Sequence, residues 1–259
     1  MALSLYAALT IPYQLAERPA FDLIMQAWQA SAPGLLPTHA DSIEPVHRPF
    51  DLTNPDNAAR SWGHGIWIGR RSNPKLYMNI VTGTFFHAGL SVRIENVSRT
   101  VTEDLSALIA SLALATRPHY GMIHSLTDVE VAEAREVRRP DLLTINRITG
   151  RSTLGVGYTR QLQGGIPSIY WQNLFGAPYV ELFGRARLLA APVAIVREDE
   201  WGICLQVTDE APGENTWQDF RDSRDRLMDY LGRDVFWPRG ERIPHAIREF
   251  EPPPLVATD

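Results

Sequence analysis

The chain has 259 residues, 44% hydrophobic and 21% charged, with one cysteine and a formal charge of −5 from 25 basic and 30 acidic side chains. These values exclude the disordered, collagenous and membrane-spanning classes and leave a globular protein of one or two domains, long enough to bury a core without staples. The lone Cys204 excludes a disulfide framework or a multi-cysteine metal site within one chain, and the acidic balance argues against a dedicated nucleic-acid surface.

Residues 1–15 are apolar but have no Lys or Arg ahead of the apolar stretch, so they read as a first strand rather than a secretory signal. No window reaches the roughly 18 uninterrupted apolar residues of a membrane span, and the expected compartment is the cytoplasm. Leu3, Leu5, Ala7 and Leu9 alternate as in a strand, and Phe21, Ile24, Met25 and Trp28 fall at the i, i+3, i+4, i+7 spacing of one helix face. From 33 to 73 the chain is rich in Pro, His, Asn and Asp around the apolar island Ile66-Trp67-Ile68, which predicts a long irregular crossover or lid. Leu76, Met78 and Ile80, then Leu90, Val92 and Ile94, alternate and predict an antiparallel hairpin with one buried face. A helix follows, with Thr102 as its N-cap, Leu105, Leu108, Ile109 and Leu112 as its stripe and Pro118 as its stop; residues 120–124 add a short strand.

The second half opens with a helix over 127–137, where Thr127 and Glu130 have capping-box spacing, and continues through a Gly-punctuated region, 141–165, that holds one or two strands. A helix then runs from Tyr179 to about Leu189. A second hairpin pairs Val193–Val196 with Ile203, Leu205 and Val207 across residues 198–202. The last helix starts near Thr216, turns Trp217, Phe220, Leu227, Met228 and Leu231 inward and ends at Gly232. Both halves thus read strand, helix, hairpin, helix. This predicts an α+β protein of two βαββα, ferredoxin-like halves, 1–125 and 126–251, with helices on antiparallel sheet and an exposed tail at 252–259. One larger continuous domain is the alternative, because no Gly/Ser linker divides the halves.

The residues that carry chemistry are sparse. The glycines around Trp62-Gly63-His64-Gly65 lack the Gly-Lys-Ser/Thr ending of a phosphate cradle, and no serine sits in a GxSxG elbow. Cys204 lies mid-strand, where it behaves as a small buried hydrophobe. The histidines form no HExxH or HxH pair; His119 and His124, five apart with Asp128 following, are the nearest approach to an acid–base or metal pair. No catalytic residue, metal ligand or cofactor is assigned. Acidic residues are the remaining feature. Asp219, Asp222, Asp225 and Asp229 interleave with Arg221, Arg224 and Arg226 on a solvated helix face, where Arg221–Asp225 and Asp222–Arg226 are i,i+4 pairs. By contrast, Glu198-Asp199-Glu200 at a hairpin tip and Asp209, Glu210 and Glu214 before the last helix have no basic partner nearby in sequence. Trp201 beside the tip supplies an aromatic anchor of the type favoured at interfaces.

The run Tyr170-Trp171-Gln172-Asn173-Leu174-Phe175-Gly176, with Tyr179-Val180-Glu181-Leu182-Phe183-Gly184, Leu188-Leu189-Ala190-Ala191-Pro192 and Leu205-Gln206-Val207-Thr208-Asp209, resembles the immunity protein 52 family of bacterial polymorphic toxin systems. Ala190 stands where that family's Leu-Leu-Ser-Ala-Pro segment has serine. The resemblance covers about 169–209, and its motif positions Trp171, Phe175, Gly176, Tyr179 and Gly184 look like fold determinants. It implies an α+β, non-enzymatic antidote that binds a cognate toxin. The expectation is therefore a cytoplasmic protein that occludes a toxin's active site. Its interface candidates are Glu198, Asp199, Glu200, Trp201, Asp209, Glu210 and Glu214. A nuclease toxin has a basic cleft that would attract such a surface, and neither nucleic acid nor membrane is an expected partner. The alternatives are an enzyme using His64, His119 or His124 beneath the 33–73 crossover, and a module binding a small ligand on the Tyr170–Phe183 aromatic run.

Overall fold

A computed structural model describes residues 4–12, 15, 18–42, 46–50, 65–81, 88–95, 97–136, 143–145, 152–154, 166 and 168–236. The fold is mixed α+β, and the chain divides into two compact units between His119 and Tyr120. The tail at 252–259 lies outside the described residues, as do His64, His87 and His245.

In the first unit, β1 (Ser4–Ile11) is followed by α1 (Arg18–Ser31), β2 (His39–Asp41), β3 (Arg48–Pro49), β4 (Ile66–Arg70), β5 (Lys75–Val81), β6 (Ala88–Glu95) and α2 (Arg99–Thr116). The strands run in the order β1-β6-β5-β4-β2-β3, every neighbour antiparallel. The register sets apolar side chains in rows across the sheet: Leu5–Ile94–Leu76, Ala7–Val92–Met78–Ile68 and Leu9–Leu90–Ile80–Ile66, all buried. A one-residue slip of any strand would turn its apolar set out of these rows, so burial fixes the pairing. Helix α1 buries Phe21, Ile24, Met25 and Trp28 and packs on α2, which in turn contacts β1.

Two expectations change in this unit. The 33–73 segment is not a wholly irregular crossover: it contributes β2, β3 and β4 to the sheet, strands too short for alternation to register. Helix α2 begins a turn earlier than the stripe suggests. Ser98 is the N-cap, its hydroxyl accepting the Val101 N–H at 3.4 Å, while Thr102 lies inside the helix and donates to the Ser98 carbonyl. The helix closes on Arg117, in the left-handed region at φ 45, immediately before Pro118.

The second unit contains β7 (Tyr120–Ser125), α3 (Asp128–Glu136), the small hairpin β8 (Leu143–Ile145) and β9 (Ser152–Leu154), then β10 (Gln172–Gly176), α4 (Ala177–Phe183), α5 (Arg185–Leu189), β11 (Ile195–Asp199), β12 (Gly202–Gln206) and α6 (Trp217–Leu231). Its main strands run in the order β11-β12-β10-β7, again antiparallel. Every residue of β7 and β10 is buried, so these strands show no alternation in burial. The single helix expected to reach Leu189 is two, because Gly184 at φ 83 breaks it and swings α5 away from the axis of α4.

The ferredoxin-like repeat does not follow from this register. That motif sets its first strand parallel to a neighbour through a split β–α–β unit. Here β1 lies antiparallel to β6 with three further strands inserted after α1. In the second unit α3 leads into β8–β9, which among the described residues pair only with each other.

Candidate functional site

The acidic candidates fall on or beside the β11–β12 hairpin, which a close backbone approach locks in place. Pairing from Ile195↔Gln206 to Asp199↔Gly202 leaves Glu200 and Trp201 as a two-residue turn. Gly202 adopts φ +152 against the end of β10, where a Cβ would sit 2.1 Å from the Phe175 carbonyl oxygen. Only glycine fits there. The expectation of an exposed aromatic anchor is corrected: Trp201, in the turn, is 4% exposed.

The acids on the tip separate into one that is clamped and two that are not. Arg185, the first residue of α5, meets Glu198 with two parallel hydrogen bonds, Nε to Oε1 at 2.6 Å and Nη2 to Oε2 at 2.5 Å. This bidentate geometry raises the Arg185 pKa, first through the hydrogen bond and then through the carboxylate charge. Sequence reasoning missed this clamp, since 13 residues and a helix break separate the partners. Asp199 and Glu200 are exposed and have no ion-pair partner among the described residues. The tip therefore presents two uncompensated carboxylates on a braced turn.

Asp209 and Glu210 are exposed too, but at the opposite end of β12, about 16 Å away by strand rise. Their turn is tied down from inside: Gln206 Nε2 donates to the Thr208 and Asp209 carbonyls at 3.1 and 3.0 Å, and Trp171 Nε1 donates to Thr208 at 2.9 Å. Glu214 has a different duty. Its Oε1 accepts the N–H of Asp128 at 2.9 Å, while Thr127 Oγ1 accepts that of Glu130 at 3.1 Å, so two side chains satisfy the first turn of α3. The seven candidates thus form no single patch.

Among the alternative candidates, His124 is wholly buried on β7 with both ring nitrogens in use. Nδ1 accepts the Trp171 N–H at 3.2 Å, which puts the proton on Nε2, and Nε2 donates to Glu130 Oε2 at 2.8 Å. Tyr170 and Phe220 flank the ring, with centroids at 5.5 and 5.2 Å. This is a structural histidine joining β7, β10 and α3, with no nitrogen left for a substrate. His119 belongs to the first unit and is 7% exposed. Burial pushes the Cys204 thiol up, away from a reactive thiolate, and Arg197 only partly offsets this. No group of three or more His, Cys, Asp or Glu among the described residues could hold a metal ion.

The aromatic run is core rather than a ligand box. Trp171, Phe175 and Tyr179 are at most 4% exposed, and Phe175 packs on Phe183 at 5.2 Å and on Tyr120 at 6.0 Å. Asn173 shapes its start by gripping Tyr170 twice, accepting its N–H at 2.8 Å and donating to its carbonyl at 2.7 Å. Gly176 caps α4 from extended backbone, with Pro178 in the first turn.

A last feature escaped the sequence reading. Leu189, Ala190, Pro192, Ala194 and Ile195 are all exposed, an apolar run that leads directly into β11, itself exposed at four of five positions. No family model matches the chain, and no curated protein matches it. No helix among the described residues is long and apolar enough to cross a membrane.

Proposed function

We propose that this protein is an immunity protein, a cytoplasmic and non-enzymatic antidote that binds a cognate bacterial toxin domain and covers its active site. The observation that carries this reading is the braced tip of the β11–β12 hairpin, where Asp199 and Glu200 project without a compensating described cation while Arg185–Glu198 and Trp201 hold the turn still. A turn whose backbone is already fixed loses little conformational freedom on binding, and its carboxylates are attracted to the basic cleft that a nuclease needs for its phosphates. The resemblance of 169–209 to immunity protein 52 sequences supports the same assignment, because it falls on the strand, helices and hairpin that build this tip.

Co-expression tests it. Cells carrying the toxin domain encoded beside this gene should grow when the chain is present, and the two proteins should co-purify. Growth arrest in the presence of abundant soluble chain would refute the proposal.

A further inference from the structure

The hairpin offers more than its tip. Among the described residues, strand β11 ends the strand order of its unit and pairs on one side only, with β12. Its hydrogen-bonding parity follows from one bond: the Val207 N–H points to the Trp171 carbonyl on the β10 side. Backbone groups alternate sides along an antiparallel strand, so Gln206, Cys204 and Gly202 face β11, and their partners Ile195, Arg197 and Asp199 turn inward. The N–H and C=O groups of Val196 and Glu198 are left at the open edge. Exposed edges of this kind are templates for another strand.

The side chains around this edge are sorted by chemistry. At its start lie exposed Leu189, Ala190, Pro192, Ala194 and Ile195, with Leu189 and Ile195 at 36% and 38% exposure; at its end lie the free carboxylates of Asp199 and Glu200. A second copy does not suit it. Antiparallel pairing of two full β11 strands sets Arg197 against Arg197, Ile195 against Asp199 and Val196 against Glu198, placing like charges and apolar–acid pairs face to face. A partner that is basic where it meets the tip and apolar where it meets Ile195 removes the mismatches at both ends of the strand.

We propose that β11 is a docking edge for strand addition, and that its occupant is an extended segment of the toxin partner with basic residues opposite Asp199–Glu200 and apolar residues opposite Ile195. This rests on the immunity reading for the partner's identity, though not for the edge itself.

Two measurements test it. The first titrates the full chain with the synthetic peptide acetyl-Arg-Arg-Thr-Val-Thr-Val-amide, whose antiparallel register sets the arginines against Glu200 and Asp199 and the last valine against Ile195, and follows amide hydrogen exchange. The Val196 and Glu198 amides should exchange about tenfold more slowly at millimolar peptide, whereas a peptide with two glutamates replacing the arginines should leave them unchanged. Unchanged exchange with the arginine peptide, or equal protection by both, overturns the proposal. So does concentration-dependent dimerisation of the free chain through β11, which would make a second copy the occupant.

The second measurement uses Val196→Pro, which deletes an outward N–H and leaves the β12 ladder intact. With its thermal midpoint unchanged, this variant should lose protection in the co-expression assay. Full protection would overturn the docking edge while leaving the immunity reading standing. Failure of the unmodified chain to protect would end the immunity reading, and the peptide titration would still decide the edge. The titration also decides it if Val196→Pro does not fold.

Discussion

Tyr120 shows how a single side chain can hold unused stability. It is fully buried at the start of β7, its hydroxyl has no hydrogen-bond partner among the described residues, and its ring lies 5.7 Å from that of Tyr179. Burial, followed by the neighbouring phenols of Tyr170 and Tyr179, holds its pKa well above the ordinary value of 10.0. A group that keeps its proton more tightly when folded contributes fully below its unfolded pKa. That contribution is lost as pH rises from about 10 toward the folded value. Unfolding midpoints in urea should therefore fall above pH 10, and Tyr120→Phe should flatten that fall. At pH 7 the same variant should gain about 1 kcal/mol, because it removes a buried hydroxyl that bonds to nothing. Gly202 is the opposite case. Gly202→Ala drives a methyl group onto the Phe175 carbonyl from a backbone region that side chains rarely enter, and should cost about 3 kcal/mol or more in thermal unfolding.

Among the elements, α3 and the β7–β10 pair depend on side chains far away in sequence. His124→Phe fills the same space but strands the Trp171 N–H and the Glu130 carboxylate. It should cost about 2–4 kcal/mol by urea denaturation, more than the loss of one ordinary hydrogen bond. Glu214→Ala removes a carboxylate from the positive end of α3 and should cost about 1 kcal/mol, read as faster amide exchange in the first turn of that helix. These dependencies explain what could and could not be read beforehand. Helix α1 was legible because Phe21, Ile24, Met25 and Trp28 share one buried face, and β5–β6 because only alternate residues are fully buried. Strands β7 and β10 are buried at every position, so the alternating pattern is missing. The hairpin acids stood out from the sequence, whereas the Arg185 clamp needed Gly184 to turn α5 toward β11, and Trp201 was misread because nothing local signals the squeeze at Gly202.

Across the whole molecule, the formal charge of −5 matters less than where charge is left uncompensated. Glu198 is clamped, Glu214 caps α3, and Asp229 is paired with Arg233, whose hydrogen bond lowers the carboxyl pKa. On the hairpin tip, what stays open among the described residues is the pair Asp199 and Glu200. Reversing both to lysine should leave stability within about 0.5 kcal/mol, since they make no described contact to lose. In the co-expression assay the double variant should fail to protect, and any residual complex with the toxin should weaken less with added salt than that of the parent chain.

The spacing of the strands in the second unit also sets the order in which they can assemble. Ile195 and Gln206 are close along the chain, whereas Gln172 must find Ile123, 49 positions earlier. Closing the short loop is the faster event, so β11 and β12 can zip together while β7 waits for its neighbour. The turn proposed to meet the partner would then also act as the nucleus for its half of the chain. Because the Gly202→Ala clash is with β10 and not within the hairpin, that variant should refold at nearly the parent rate and unfold faster, giving a φ-value well below one.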